Sequence, residues 1–134
     1  MAKKNEATQE DNPPLKTILV VEDDADIGDF IAEVIQLETP YQALAATNGF
    51  HALKLVKSIT PQALVIDYMM PTMNGLELYE RLLSMEEFKH VPVLFMSANA
   101  PVKEFQKRHI PYIEKPFEVE HFLEALRGIL KEDD

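Results

Sequence analysis

Residues of complementary chemistry recur at the ends of apolar runs in this chain. Asp67 closes the run Ala63-Leu64-Val65-Ile66, and the Tyr68-Met69-Met70-Pro71 that follows cannot continue a strand. Glu22-Asp23-Asp24 closes a second run, Ser97-Ala98 a third, and Glu114-Lys115-Pro116 a fourth. An ionised carboxylate at the tip of a buried strand is costly unless it finds a cation or a role. Several carboxylates brought to one place repel unless a divalent cation sits among them. All-oxygen ligation favours Mg²⁺, with Mn²⁺ and Ca²⁺ as competitors, over zinc. A lysine and a hydroxyl beside them complete a pocket suited to a phosphoryl group, whose charge the cations balance.

These groups meet only if the elements that carry them are parallel strands. Thr17-Ile18-Leu19-Val20-Val21 is β-branched and apolar throughout, the composition of a strand covered on both faces. Ile27, Phe30, Ile31, Val34 and Ile35 then recur at helical spacing, with Asp24 and Asp26 placed to cap or charge the first turn. A weaker strand is predicted over 41–45, and a helix marked by Phe50, Leu53 and Val56 runs from Asn48-Gly49 toward Thr60-Pro61. Further strands are predicted over 63–66, 91–96 and 111–113. The helices between and after them are marked by Leu76, Tyr79, Leu82 and Leu83, by a short stretch over 101–107, and by Phe122, Leu123, Leu126, Ile129 and Leu130. Repeated β-then-α units predict an α/β fold, a doubly wound parallel sheet with helices on both faces. Sites in such sheets form at the carboxyl ends of the strands, where the strand order reverses.

The chain has 134 residues, enough for one domain with a substantial core. Residues 1–15 are polar and mixed in charge, so a disordered tail is expected there. One domain is expected over 16–131, with 132–134 as its C-terminal end. The 13 basic residues against 23 acidic ones give a charge of −10, which argues against binding nucleic acid or an anionic membrane unaided. There is no cysteine, no secretory signal and no transmembrane-length apolar stretch, so a cytoplasmic setting is expected.

Taken singly, most of these residues have ordinary explanations. Glu22-Asp23-Asp24 could be an acidic cluster at a helix N-terminus. Asp67 could be a turn carboxylate, Lys115 a solvated loop lysine, and Tyr112 a half-buried strand aromatic. Asn74-Gly75 reads as a common turn signal. His51, His90, His109 and His121 are scattered without ligand spacing, and Met69, Met70 and Met73 read as packing residues.

In combination and in order, four segments resemble the receiver domain of two-component response regulators. They are Ile18-Leu19-Val20-Val21-Glu22-Asp23-Asp24, Leu64-Val65-Ile66-Asp67 with Pro71 and Gly75, Ser97-Ala98, and Tyr112-Ile113-Glu114-Lys115-Pro116-Phe117. The resemblance covers the chain from Lys16 onward. It implies a flavodoxin-like (βα)5 fold with strand order 2-1-3-4-5. It implies that Asp67 is a phospho-acceptor taking phosphoryl from a histidine kinase or a histidine phosphotransfer protein. Asp23 would ligate Mg²⁺ directly, or Mn²⁺ in its place, with Glu22 acting through water and the Met69 carbonyl as a further ligand. Ser97 would turn toward the phosphoryl oxygen, Lys115 would pair with it across a cis Lys115–Pro116 bond, and the Tyr112 rotamer would follow Ser97.

The chain departs from that family between Ser97 and Lys115. The interval is about one helical turn short, carries Pro101 and Pro111, and has His109-Ile110-Pro111 where a small turn is usual. The fourth helix is therefore expected to be short or irregular. The resemblance further implies that Met69 and Asn99 occupy positions that tune the access of water to an acyl phosphate.

The resemblance thus implies a single-domain phosphorylation switch, not an enzyme beyond assisting its own phosphorylation and dephosphorylation, with output through an unknown downstream protein. Two alternatives carry weight at this point. One is a phosphorylation-independent interaction module on the same fold. The other is a Mg²⁺-dependent phosphohydrolase, which would place a second acid where Met69 stands.

Overall fold

The computed structural model describes residues 16–99 and 101–130. The tail expected over 1–15 and the C-terminal residues 131–134 lie outside the described residues. Five strands alternate with five helices: β1 Thr17–Val21, α1 Ala25–Glu38, β2 Gln42–Ala46, α2 Gly49–Leu55, β3 Ala63–Asp67, α3 Gly75–Leu83, β4 Val93–Ser97, α4 Val102–Lys107, β5 Tyr112–Glu114 and α5 Val119–Leu130. A 3-10 turn, Glu86–Phe88, follows α3. The strands form one parallel sheet in the order β2-β1-β3-β4-β5, as the resemblance implied.

Alternation along each strand divides the core in two. Leu19, Val21, Leu64, Ile66, Val93 and Phe95 face α2, α3 and α4, where Ala52, Leu78, Leu82 and Phe105 cover them. Ile18, Val20, Val65, Leu94, Met96 and Ile113 face α1 and α5, against Ile31, Ile35, Phe122, Leu123 and Leu126. β1, β3 and β4 carry the continuous apolar runs because they are covered on both sides.

Boundaries differ from expectation where backbone chemistry outweighs composition. β4 starts at Val93, after Pro92, which lacks an N–H and contributes its carbonyl to the Leu64 N–H at 2.9 Å. It ends on Ser97, so the hydroxyl belongs to the strand. α2 stops at Leu55, well before Pro61, because Lys57 and Ser58 bond back to the Lys54 and Leu55 carbonyls in tight turns. Its buried face is Gly49 and Ala52, while Phe50 is exposed. α4 has six residues and is the short fourth helix that the sequence predicts.

Candidate functional site

Helix entries fix the strand tips. Asp24 caps α1, its Oδ1 accepting the N–H groups of Asp26 at 3.0 Å and Ile27 at 3.2 Å. Asn74 caps α3 in a reciprocal box: its Oδ1 accepts the Glu77 N–H, and Glu77 Oε1 accepts the Asn74 N–H, both at 2.9 Å. Gly75 then lies against the tip of β3. Its N–H donates to the Tyr68 carbonyl at 2.8 Å, and a Cβ there would sit 2.7 Å from the Asp67 carbonyl oxygen. Asn74-Gly75 is thus a helix start pressed against the site, where the sequence alone suggested an ordinary turn.

β1, β3 and β5 bring Glu22, Asp23, Asp67 and Lys115 together. Glu22, Asp23 and Asp67 each offer a carboxylate oxygen within 4.8 Å of the others. Glu22 and Asp67 are buried, and Asp23 is exposed. Lys115 Nζ donates to Glu22 Oε1 at 2.7 Å and lies 3.4 Å from Asp67 Oδ1, so it is closer to Glu22 than to Asp67. The other Glu22 oxygen accepts the Asp24 N–H at 3.3 Å. The Lys115–Pro116 bond is cis, as expected.

Burial raises the Asp67 carboxyl from 3.8 to about 6, with a further push from the Glu22 charge. Lys115 opposes that rise through charge and hydrogen bonding, and Asp23 adds to it. Burial alone would lower the Lys115 ammonium; the Glu22 hydrogen bond and the Asp67 and Glu22 charges outweigh it and hold the pKa above its ordinary 10.5. Three carboxylates against one ammonium leave two negative charges, the charge that one divalent cation would neutralise. The donor set is all oxygen, so Mg²⁺ or Mn²⁺ fits it.

Ser97 is fully buried on the sheet face that also carries Phe95, and its Oγ accepts the Asn99 N–H at 3.0 Å. Tyr112 is half-buried on the same face. Met69 and Asn99 are exposed. His90, His109 and His121 are exposed, and His51 is half-buried, its Nδ1 accepting the Thr47 N–H at 3.2 Å. Sequence reasoning missed Phe105. Its fully buried ring touches Tyr68, Phe95 and Tyr112. The one signal available was its place as the sole aromatic in the short segment between Pro101 and Pro111.

The sequence profile of the response regulator receiver domain matches residues 18–127. Hybrid signal transduction histidine kinase D of Dictyostelium discoideum is 36% identical over 123 residues, which are 89% of this chain and 8% of that protein. The transcriptional regulator RpaA of Synechocystis is 30% identical over 87% of this chain and 50% of its own length. The chain spans about half or less of the length of such curated relatives. Among solved structures, chemotaxis protein CheY4 of Vibrio cholerae superposes with a TM-score of 0.78 at 22% identity, covering 87% of this chain and 99% of that one. The receiver domain of sensor histidine kinase PA1611 from Pseudomonas aeruginosa, which holds a magnesium ion in its active-site cleft, gives 0.76 at 20% identity over 89% of this chain and all of that one. No helix of the described residues is long and apolar enough to cross a membrane.

Proposed function

The chain belongs to the response regulator receiver domain family, and from that premise we propose that Asp67 is its phospho-acceptor. The observation that carries this reading is the grouping of Glu22, Asp23 and Asp67 within 4.8 Å, beside the Lys115 ammonium. A carboxylate with a pKa of about 6 is ionised at neutral pH and available as a nucleophile. The donor is a phosphohistidine on a histidine kinase or a phosphotransfer protein. Its P–N bond breaks as an Asp67 Oδ–P bond forms, and the imidazole, protonated on its other nitrogen, leaves neutral.

Glu22, Asp23, Asp67 and the Met69 carbonyl are the groups that would hold Mg²⁺, or Mn²⁺ in its place. When bound, the cation supplies the positive charge that lets a phosphoryl group approach three carboxylates. The magnesium in the related Pseudomonas aeruginosa domain supports this assignment. Glu22 has a second task, holding the Lys115 ammonium 2.7 Å away and within reach of the acceptor. Lys115 offsets charge on the phosphoryl oxygens and Ser97 donates its hydroxyl to one of them. Tyr112 repacks in response, and the altered surface binds a downstream protein. Met69 shields the acyl phosphate from water.

Acetyl phosphate tests the acceptor role without a partner. Intact mass spectrometry is expected to show one added phosphoryl group in the presence of Mg²⁺ and none with a chelator or in Asp67→Asn. Equal labelling of Asp67→Asn would sink the assignment.

A further inference from the structure

The connection from β3 to α3, residues 68–74, is fastened at several points. Tyr68 donates its N–H to the Met96 carbonyl and accepts the Gly75 N–H on its own carbonyl, both at 2.8 Å, so the connection is closed at its base. Along it Met70 and Met73 are buried, while Met69, Pro71 and Thr72 are exposed. The Met73 N–H bonds the Pro71 carbonyl at 2.7 Å across Thr72, whose φ is 73°. A hydrogen bond between residues two apart, with positive φ between them, is the rare and strained form of the γ-turn. Thr72 is β-branched, which makes that φ a clear outlier. Such strain persists only where the surroundings over-determine it.

The surroundings that do so belong to a different connection. Gly49 opens α2, and its missing side chain leaves a notch that Met73 fills. A Cβ on Gly49 would lie 2.5 Å from Met73 Sδ and 3.3 Å from its Cγ and Cε. The notch is itself fixed, because Asn48 caps α2 by accepting the His51 N–H at 2.8 Å. Met70 and Met73 both join the core beneath α2 and α3, with Ala52, Leu78 and Leu82. Methionine is usually an adaptable filler. A seat too narrow for one more carbon leaves Met73 a single place.

We propose that Met73 is a positioning residue for the metal. Seated against Gly49, it holds the β3–α3 connection in one conformation, and that rigidity gives the carboxylate cluster a preference for Mg²⁺ over Ca²⁺. The inference rests on the metal reading above, in which this connection supplies the Met69 carbonyl beside Glu22, Asp23 and Asp67. Mg²⁺ is the smaller ion and demands near-ideal octahedral geometry, whereas Ca²⁺ takes more oxygen ligands in a flexible arrangement. A site whose ligand can shift therefore loses Mg²⁺ first. Unseating Met73 removes the support of the Thr72 turn, which relaxes and carries residues 69–71 with it. Asp67 ends a strand paired on both sides, and the Glu22 N–H is tied to the Ala46 carbonyl at 3.0 Å, so these two carboxylates stay in place.

Titration of the folded chain with magnesium chloride and, separately, with calcium chloride reads this, followed by the amide resonances of residues 22 and 67. The parent is expected to bind Mg²⁺ more tightly. Met73→Ala empties the notch and Gly49→Ala fills it, so the two variants break one contact from opposite sides. Each is expected to weaken Mg²⁺ about tenfold and Ca²⁺ by clearly less, so the ratio of the two affinities falls. The double variant falls no further than Met73→Ala, because neighbouring changes that break one contact do not add. Leu126→Ala, in the core on the opposite face of the sheet, loses stability with the ratio unchanged. A ratio unchanged in both Met73→Ala and Gly49→Ala, with Mg²⁺ still bound, overturns the positioning role and leaves the metal reading standing. An equal fall in Leu126→Ala overturns it as well, since any loosening of the core would then suffice. A parent that binds neither ion overturns both readings together.

Discussion

α3 and α4 follow neighbouring strand tips on the same face of the sheet, yet they are attached in opposite ways. α3 follows the strand of Asp67 with a reciprocal capping box, a glycine pressed on the Asp67 and Tyr68 backbone, and buried Leu78 and Leu82. α4 follows the strand of Ser97 with no side-chain cap, six residues and one buried ring. Asp67 therefore leads into a helix with a reciprocal capping box, and Ser97 into a short helix with no side-chain cap.

The largest expected effect comes from truncating the buried anchor of each helix. Leu78→Ala should cost about 2–5 kcal/mol of global stability in urea, as deletion from a rigid core does. Phe105→Ala should cost under about 2 kcal/mol, despite the larger ring, because its helix can come away by itself. Equal costs would mean that α4 is as integral to the core as α3, and the contrast would be broken.

Gly75→Ala probes the fastened side more finely. Its Cβ would meet the Asp67 carbonyl oxygen at 2.7 Å and the Tyr68 Cα at 2.9 Å, both backbone atoms that cannot swing aside. A loss of about 1–3 kcal/mol is expected. Gly128→Ala, with nothing within 4 Å, should be neutral or slightly stabilising through helix propensity. A harmless Gly75→Ala would show that the tip of β3 has slack.

The fastened tip is also electrostatically crowded, and acid should relieve it. The folded pKa of Asp67, about 6, lies above its ordinary 3.8, so ionisation opposes folding. The penalty is absent below 3.8, grows between 3.8 and 6, and is complete above. In chelator at pH about 8, Asp67→Asn should be more stable than the parent by about 1–3 kcal/mol, an advantage that shrinks on acidification. An advantage that instead grows as pH falls would mean that Lys115 stabilises the carboxylate more than its neighbours crowd it.

Much of this arrangement is legible in the sequence because strand tips are sharply punctuated. Continuous runs such as Thr17–Val21 and Ala63–Ile66 end in Glu22 and Asp67, so a parallel sheet and its converging carboxylates are readable from them, while the strand order followed from the family resemblance. Apolar periodicity found α2 and the core-packed Leu53 and Val56 but missed that Phe50 is exposed, because Gly49 lies against Met73 on the buried side. Nor could it show that Lys115 binds Glu22 more closely than Asp67, since the choice depends on side-chain reach across three strands. Phe105 went unread for the same reason. Its significance lies in what it touches, and those partners are scattered from Tyr68 to Tyr112.

Borohydride reduction of the acyl phosphate tests the central claim most directly. The reagent converts a phosphorylated aspartate to homoserine, and peptide mapping then locates it. After Mg²⁺-dependent phosphorylation, homoserine is expected at position 67 and at no other aspartate. Homoserine at Asp23 or Asp24, or none at position 67, would contradict the account.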